Sequence, residues 1–192
     1  MPVAWTQANF RVRNDDGGEA TASWLAALNT NVSLKAGRTF RLRFDCSETG
    51  TTSATLTGQL RCSKNGAAFQ SVTATSTIAF AVSGLNSMNG VATTQIISSG
   101  TFVAGNIDAA DGLCAVTGTI AQNSHTELEF CVQLDPLTTA AEDTVQFRVY
   151  VSPTTAFGTY TQSPTITVIR PNQFQNFMGI NAGGMSVTEK IR

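Results

Sequence analysis

Apolar and polar side chains alternate strictly in several short segments of this 192-residue chain. Residues 40–46 place Phe, Leu, Phe and Cys at every second position, with Arg, Arg and Asp between them. This is the period of a half-buried β-strand and not of an amphipathic helix. The alternation recurs along the chain, and further strands are predicted at 10–13, 77–82, 128–134, 145–151 and 165–169. The 28 Thr and 15 Ser suit pleated strands and a hydroxyl-covered surface, so an all-β fold is predicted.

A tight turn is predicted at Asn65-Gly66, within the segment Ser63-Lys64-Asn65-Gly66. Both residues accept the positive φ angles that a hairpin turn requires. The strands at 128–134 and 145–151 are expected to be neighbours in one sheet, like the central pair of an immunoglobulin-like or fibronectin-like sandwich. Between 83 and 126, glycines interrupt Thr- and Ser-rich runs, which predicts edge strands and long loops.

One domain is predicted, a single antiparallel β-sandwich over residues 1–170, followed by an extended C-terminal arm at 171–192. The arm has no strand or helix period, yet it carries spaced apolar side chains that are rare in disordered tails. Such a segment can lie along another subunit with each anchor in a pocket, or it can fold back over its own sandwich. The candidate partner-binding residues are Phe174, Phe177, Met178, Ile180 and Met185.

Composition excludes several function classes. A net charge of −1 provides no basic surplus for nucleic-acid binding, and no apolar run is long enough to span a bilayer. The single His disfavours histidine-based catalysis and metal binding, so we expect no enzyme activity, no cofactor and no metal. No signal peptide is recognised, so synthesis in the cytoplasm is expected. The cysteines form no CxxC pair and are expected to be buried thiols; they are Cys46, Cys62, Cys114 and Cys131.

The polar candidates for a site have structural interpretations. His125 is interpreted as a histidine at the end of a loop, because no Gly-x-Ser-x-Gly accompanies it. Glu127 and Glu129 point to one face of a strand, ~7 Å apart. Glycosidases place their two carboxylates across a cleft, so this pair is interpreted as part of a solvated face.

The segment Arg11–Glu19 is the densest charged cluster of the chain. Asp15, Asp16 and Glu19 could supply oxygen ligands to calcium, but they lack the Asp-x-Asp-x-Asp-Gly spacing of a specific calcium loop. The favoured interpretation is a turn in which Asn and Asp side chains bond their own backbone and Arg11 or Arg13 pairs with the acids across adjacent strands. Trp24 is interpreted as a core aromatic under this turn, with carbohydrate stacking as the alternative.

Several of these motifs together resemble an immunoglobulin-like β-sandwich family of tailed-phage structural proteins and some large bacterial surface proteins. The resemblance covers roughly residues 5–169. It is carried by the segments Phe10–Glu19, Ala22–Ala27, Asn29–Asn31, Phe40–Phe44, Ser63–Gly66, Phe147–Val149 and Tyr160–Val168.

The resemblance implies a structural virion protein, of the type that decorates or cements the exterior of a tailed-phage head. Its expected location is the capsid surface, and its expected partners are the major capsid protein and neighbouring copies of itself. A homo-oligomer is expected, specifically a trimer, because cement proteins often occupy local threefold axes of capsids. The alternative is a tail, fibre or surface adhesin module that recognises host carbohydrate through exposed aromatic residues in the 83–126 loops.

Overall fold

The computed structural model describes residues 2–86 and 89–170. These residues form β-strands and no helix. The strands are β1 Trp5–Asn14, β2 Val32–Lys35, β3 Thr39–Glu48, β4 Thr57–Lys64, β5 Gln70–Ser71, β6 Ala79–Ala81, β7 Ile107–Asp108, β8 Leu113–Ala115, β9 His125–Leu134, β10 Thr144–Tyr150, β11 Thr159–Tyr160 and β12 Thr165–Ile169.

The strands form two sheets that pack as a sandwich. Sheet A has the order β11-β1-β3-β9-β6, with β7 also paired to β9. Sheet B has the order β2-β12-β10-β4-β5, with β8 also paired to β4. The strands β1, β3, β9 and β6 correspond to A, B, E and D of an immunoglobulin domain, and β12, β10, β4 and β5 to G, F, C and C′. The predicted all-β, immunoglobulin-like sandwich is therefore confirmed.

The predicted strands 10–13, 40–46, 128–134 and 165–169 fall inside β1, β3, β9 and β12. The predicted strand 77–82 is longer than β6, and 145–151 runs one residue past β10. The turn at Asn65-Gly66 is present. Asn65 has φ 51° and Gly66 has φ 77°, and the Ala67 amide donates to the Lys64 carbonyl at 3.0 Å. The second arm of this hairpin is only two residues long, β5. The Asn65 side chain also accepts a hydrogen bond from the Thr144 amide at 2.8 Å, so the turn is bonded to the start of β10.

The prediction that β9 and β10 are neighbours in one sheet is wrong. β9 pairs with β3 in sheet A, and β10 pairs with β4 in sheet B, so the chain crosses the sandwich between them. Alternation shows which side chains face the core, but it does not show from which sheet they face it. Aromatic packing joins the layers: the ring centroids of Phe40 and Phe147 are 6.3 Å apart across the core.

The outer face of sheet A is covered by loop segments. Residues 15–29 follow the edge of β1, where the Leu25 amide donates to the Val12 carbonyl at 2.9 Å. Residues 93–106 lie against β9 on the same side of the molecule. Gly105 permits this approach, because a Cβ atom there would lie 2.4 Å from the Glu127 carbonyl oxygen. The sheet therefore has a second buried face in addition to the core.

Candidate protein-binding surface

The arm residues predicted to bind a partner lie outside the described residues. They are Phe174, Phe177, Met178, Ile180 and Met185. Their role in an interface stays a prediction.

The interpretation of Glu127 and Glu129 as a solvated face is wrong. Both carboxylates are fully buried, and the segment at residues 96–98 covers Glu127. The Ile96 and Ile97 amides each donate to Glu127 Oε1 at 2.9 Å, and Arg43 Nε donates to Glu127 Oε2 at 2.8 Å. Strand alternation identified the face correctly, but the covering loop has no period that reveals it in the sequence.

Glu129 is shared by three arginines. Its Oε1 accepts a hydrogen bond from Arg41 Nη1, and its Oε2 accepts hydrogen bonds from Arg13 Nη1 and Arg43 Nη1, each at 2.9 Å. All three arginines are at most 1% exposed. We name Arg13, Arg41, Arg43, Glu127 and Glu129 the ionic cluster. Charge-assisted hydrogen bonds of this kind offset the large desolvation cost of the buried charges.

The acidic turn supplies the rim of the ionic cluster. Glu19 accepts a hydrogen bond from Arg43 Nη2 at 2.8 Å and another from the Thr94 amide at 2.8 Å. Burial raises the pKa of the Glu19 carboxyl, but the hydrogen bonds from Thr94 and Arg43 outweigh it, and the pKa lies below its ordinary value. Asp15 faces Arg41 Nε at 3.4 Å. The favoured structural interpretation of this turn is confirmed for its pairing with arginines, although the partners are Arg41 and Arg43.

The remaining acid of the turn, Asp16, binds the backbone of the same loop. Its Oδ1 accepts a hydrogen bond from the Ser23 amide at 2.8 Å, and its Oδ2 accepts one from the Ser23 hydroxyl. These bonds hold the pKa of the Asp16 carboxyl below its ordinary value. Within the described ranges, no three His, Cys, Asp or Glu side chains are grouped to hold a metal ion.

Trp24 is not a core residue, contrary to prediction. Its half-exposed ring lies over two guanidinium groups, 4.3 Å from Arg11 and 4.6 Å from Arg13. These cation–π contacts occupy a ring face that a sugar would need for stacking. Trp24 therefore closes the β1 side of the ionic cluster.

The interpretation of His125 as a loop-end residue is also wrong, because it is the buried first residue of β9. Its Nε2 lies 3.1 Å from Gln95 Nε2, and its ring centroid lies 5.6 Å from that of Phe102. A hydrolytic histidine needs a nucleophile within hydrogen-bond reach. The partner of this one is a glutamine side chain, so the ring fastens the covering loop to β9.

The cysteine prediction is confirmed: all four are buried thiols. Burial raises the pKa of Cys62 to about 11 and that of Cys114 to about 12. Thiols with such raised pKa values carry little thiolate and are poor nucleophiles. The Cys114 thiol instead donates to the Asn106 carbonyl at 2.6 Å.

The outer face of sheet B carries a different polar group, in which arginines lie over aromatic rings. Arg61 on β4 and Arg148 on β10 are directly opposite each other in the strand register. The Arg61 guanidinium is 4.9 Å from the centroid of Tyr150, and that of Arg148 is 4.8 Å from Phe69. Arg148 also lies 4.5 Å from the centroid of Tyr160. We name Arg61, Phe69, Arg148, Tyr150 and Tyr160 the arginine–aromatic face.

The side chains of this face hold one another in place. The centroids of Phe69 and Tyr150 are 5.9 Å apart, and those of Tyr150 and Tyr160 are 6.0 Å apart. Tyr160 donates its hydroxyl proton to the Val149 carbonyl at 2.8 Å, and burial raises its pKa. Arg61 donates to the carbonyl oxygens of Pro153 and Phe69. All five side chains are partly buried. Their mutual contacts order the face before any partner arrives.

Sequence reasoning did not identify the arginine–aromatic face. Alternation places Arg148 and Tyr150 on the outer side of their strand, but the opposition of Arg61 and Arg148 depends on how β4 pairs with β10. Phe69 lies in the loop before β5, and Tyr160 lies in the two-residue strand β11, so neither shows a period.

A scan against protein-family models, a search of curated proteins and a search of solved structures each found no match. Among residues 2–86 and 89–170, no helix has the length and apolar character needed to cross a membrane. The candidate surface is therefore judged on its own chemistry.

Proposed function

We propose that this protein is a structural virion subunit, a capsid decoration or cement protein on the exterior of a tailed-phage head. The observation that carries the proposal is the arginine–aromatic face. Tyr, Phe and Arg are enriched at the centres of protein interfaces, and Lys, Glu and Asp are depleted there. A half-exposed face built from two arginines and three aromatic rings has this composition.

The other polar groups support a structural role, because they are used within the fold. The ionic cluster is buried and bonds the covering loops to sheet A, where Glu127 accepts two loop amides and Glu19 bonds both Arg43 and Thr94. Sheet A thereby becomes a rigid support, and sheet B presents the surface. This division suits a subunit that reinforces a shell.

Attachment in this proposal uses two contacts, the arginine–aromatic face and the arm at 171–192. The partners are the major capsid protein and neighbouring copies, with a trimer at a local threefold axis as the proposed arrangement. Symmetric assembly repeats a modest contact many times, so a weak bond per subunit suffices to stabilise the whole shell.

The carbohydrate-binding alternative has less support. It requires exposed aromatic residues in the 83–126 loops, and the only Phe, Tyr or Trp in that range is Phe102. The Phe102 ring packs against His125. On the arginine–aromatic face, guanidinium groups already lie over Phe69, Tyr150 and Tyr160, where a sugar would otherwise stack.

Copy number in purified particles tests the proposal. Quantitative mass spectrometry of particles from the source that encodes the chain is expected to find it in numbers comparable to the major capsid protein. That stoichiometry follows because each shell position offers an equivalent site. A handful of copies per particle would favour the tail or fibre alternative, and absence from particles would overturn the virion role.

Truncation after Arg170 tests the arm. We expect the 1–170 protein to unfold at the same temperature as the full chain but to lose attachment to capsids and self-association, because the apolar anchors are gone. Co-sedimentation and analytical ultracentrifugation measure these two properties. Attachment that survives the truncation unchanged would remove the arm from the mechanism.

A further inference from the structure

We propose that the arginine–aromatic face binds an acidic segment of a partner protein, with an Asp or Glu carboxylate seated on Arg61 and Arg148. This inference deepens the proposed function by giving the chemistry of its partner at the sandwich. In the proposed setting, the acidic segment belongs to the capsid subunit.

Arg61 and Arg148 carry charge that the described fold does not compensate. They are directly opposite on antiparallel strands, and like charges at such positions destabilise a sheet. The ion pairs of the described residues include neither side chain. Residues 2–86 and 89–170 therefore give these two adjacent cations no acid, and an external carboxylate would relieve their repulsion.

Sheet A has the same motif with a different outcome. Arg13 and Arg41 are also directly opposite on neighbouring strands, but Glu129 accepts hydrogen bonds from both. The cross-strand arginine pair of sheet A thus shares a carboxylate, whereas the pair of sheet B has none among the described residues. In sheet B, a partner would supply the carboxylate that Glu129 provides in sheet A.

Both guanidinium groups are held in place before a partner binds. Two backbone carbonyls and the Tyr150 ring hold Arg61, and the rings of Phe69 and Tyr160 hold Arg148. Within the part of the chain that the structure describes, the Arg148 side chain makes no hydrogen bond, and its Nε is buried without a partner. A planar guanidinium fixed by stacking loses little entropy when it binds a carboxylate through two parallel N–H donors.

The acids of the described sandwich favour a different chain as the partner. Within residues 2–86 and 89–170, Glu142 is the one acid whose carboxylate has no hydrogen bond or ion pair. The other acids bond arginines, loop amides or turns of their own fold. A second copy of the sandwich therefore offers few carboxylates, whereas an acidic segment of another protein supplies them directly. The adjoining rings of Phe69 and Tyr150 favour apolar side chains beside the acid.

The test compares Arg148→Gln with Lys35→Gln. Lys35 is an exposed cation on β2, at the far edge of the same sheet, so its variant removes the same charge away from the face. The probe is a short fluorescent peptide that alternates Glu and Leu, and its matched control carries Gln in place of Glu. Fluorescence anisotropy measures Kd at several NaCl concentrations.

The full-length protein is expected to bind the Glu peptide, more weakly as salt rises, and to bind the Gln peptide poorly. Arg148→Gln is expected to weaken binding of the Glu peptide by about tenfold to a hundredfold, the range for a charge-assisted hydrogen-bonded pair. Lys35→Gln is expected to leave it unchanged. Equal Kd values for wild type and Arg148→Gln, or no binding of the Glu peptide, would overturn the inference.

Two further arms separate this inference from the proposed function. Capsid co-sedimentation of the same variants tests the virion role: absence of attachment by the wild type would remove that role while the peptide result stands. Attachment that is equal for wild type and Arg148→Gln would remove the inference and leave the virion role in place. Tighter binding of a single-stranded oligonucleotide than of the Glu peptide would assign the face to nucleic acid and also overturn the inference.

Discussion

The outer faces of the two sheets start from one motif and use it in opposite ways. Each face has arginines directly opposite each other on paired strands, Arg13 with Arg41 in sheet A and Arg61 with Arg148 in sheet B. In sheet A the arginines are buried and hydrogen-bonded to carboxylates. In sheet B they are half-exposed and stacked on aromatic rings. The difference lies in what covers each face. Loops of the same chain cover the arginines of sheet A, whereas no such loop is described over those of sheet B.

This difference shows that an outward position on a strand does not fix a side chain's environment. A guanidinium can be buried only where acceptors satisfy its donors, and Glu127, Glu129 and Glu19 do so in sheet A. Where no acid is present, stacking on rings stabilises the cation while part of it stays in water. The first arrangement stabilises the fold, and the second leaves interaction energy available to a partner.

The largest expected effect comes from breaking the ionic cluster. Glu129→Gln keeps the side-chain shape but removes the negative charge that Arg13, Arg41 and Arg43 share. Buried cations left without their counter-charge destabilise a fold by about 3–5 kcal/mol. Urea unfolding followed by circular dichroism is expected to show this loss in the free energy of unfolding.

The matched variant in sheet B is Arg148→Gln, which sharpens the comparison. Loss of the stacked cation lowers the free energy of unfolding by about 0.5–1 kcal/mol for an exposed cation–π contact. Loss of the repulsion with Arg61 raises it by a similar amount. The two terms nearly cancel, so the free energy of unfolding is expected to change by less than about 1 kcal/mol. Equal losses in both variants would show that the two faces contribute alike to stability, contrary to the comparison.

The sequence was sufficient for the fold class and for much of the strand layout. Alternation located the central strands of both sheets, and the turn at Asn65-Gly66 followed from residues that accept positive φ. It could not assign β9 and β10 to different sheets, because both bury alternate residues on the same core. Pairing partners depend on contacts between distant segments, which one sequence does not reveal.

The sequence also contained a signal for the ionic cluster that went unused. Only 13% of the residues are charged. Even so, charges alternate with apolar residues in and next to the predicted strands, at Arg11, Arg13, Arg41, Arg43, Glu127 and Glu129. So many opposite charges on one side of a low-charge chain indicate a paired cluster more than a solvated face. The sequence predicts long loops between 83 and 126 but not that they cover sheet A, since Thr93 and Gly105 act through individual contacts and not through a period.

The smallest expected effect on stability comes from Asp108. It is intermediate between the two faces, because its carboxylate is buried beside sheet A but no arginine among the described residues contacts it. Its oxygens accept hydrogen bonds from the amides of Ala110, Asp111 and Gly112. Burial raises its pKa from the ordinary 3.8 to about 6, although these hydrogen bonds lower it. The paired Glu19 has a lowered pKa instead, so the comparison predicts opposite pH responses for the two acids.

The sign of the Asp108 effect follows from its raised pKa. The folded state prefers the protonated acid, so this contribution to stability is complete below an unfolded pKa of about 4 and is lost as pH rises through about 6. After solvent screening, the loss is about 1–2 kcal/mol. Between about pH 4 and about pH 7, the free energy of unfolding of the wild type is expected to fall by this amount relative to that of Asp108→Asn. Urea unfolding of both proteins at the two pH values measures the difference. If the free energy of unfolding of the two proteins changes with pH in the same way, the prediction is wrong. The backbone amides alone would then compensate for burial, and a carboxylate beside sheet A would stay ionised without an arginine.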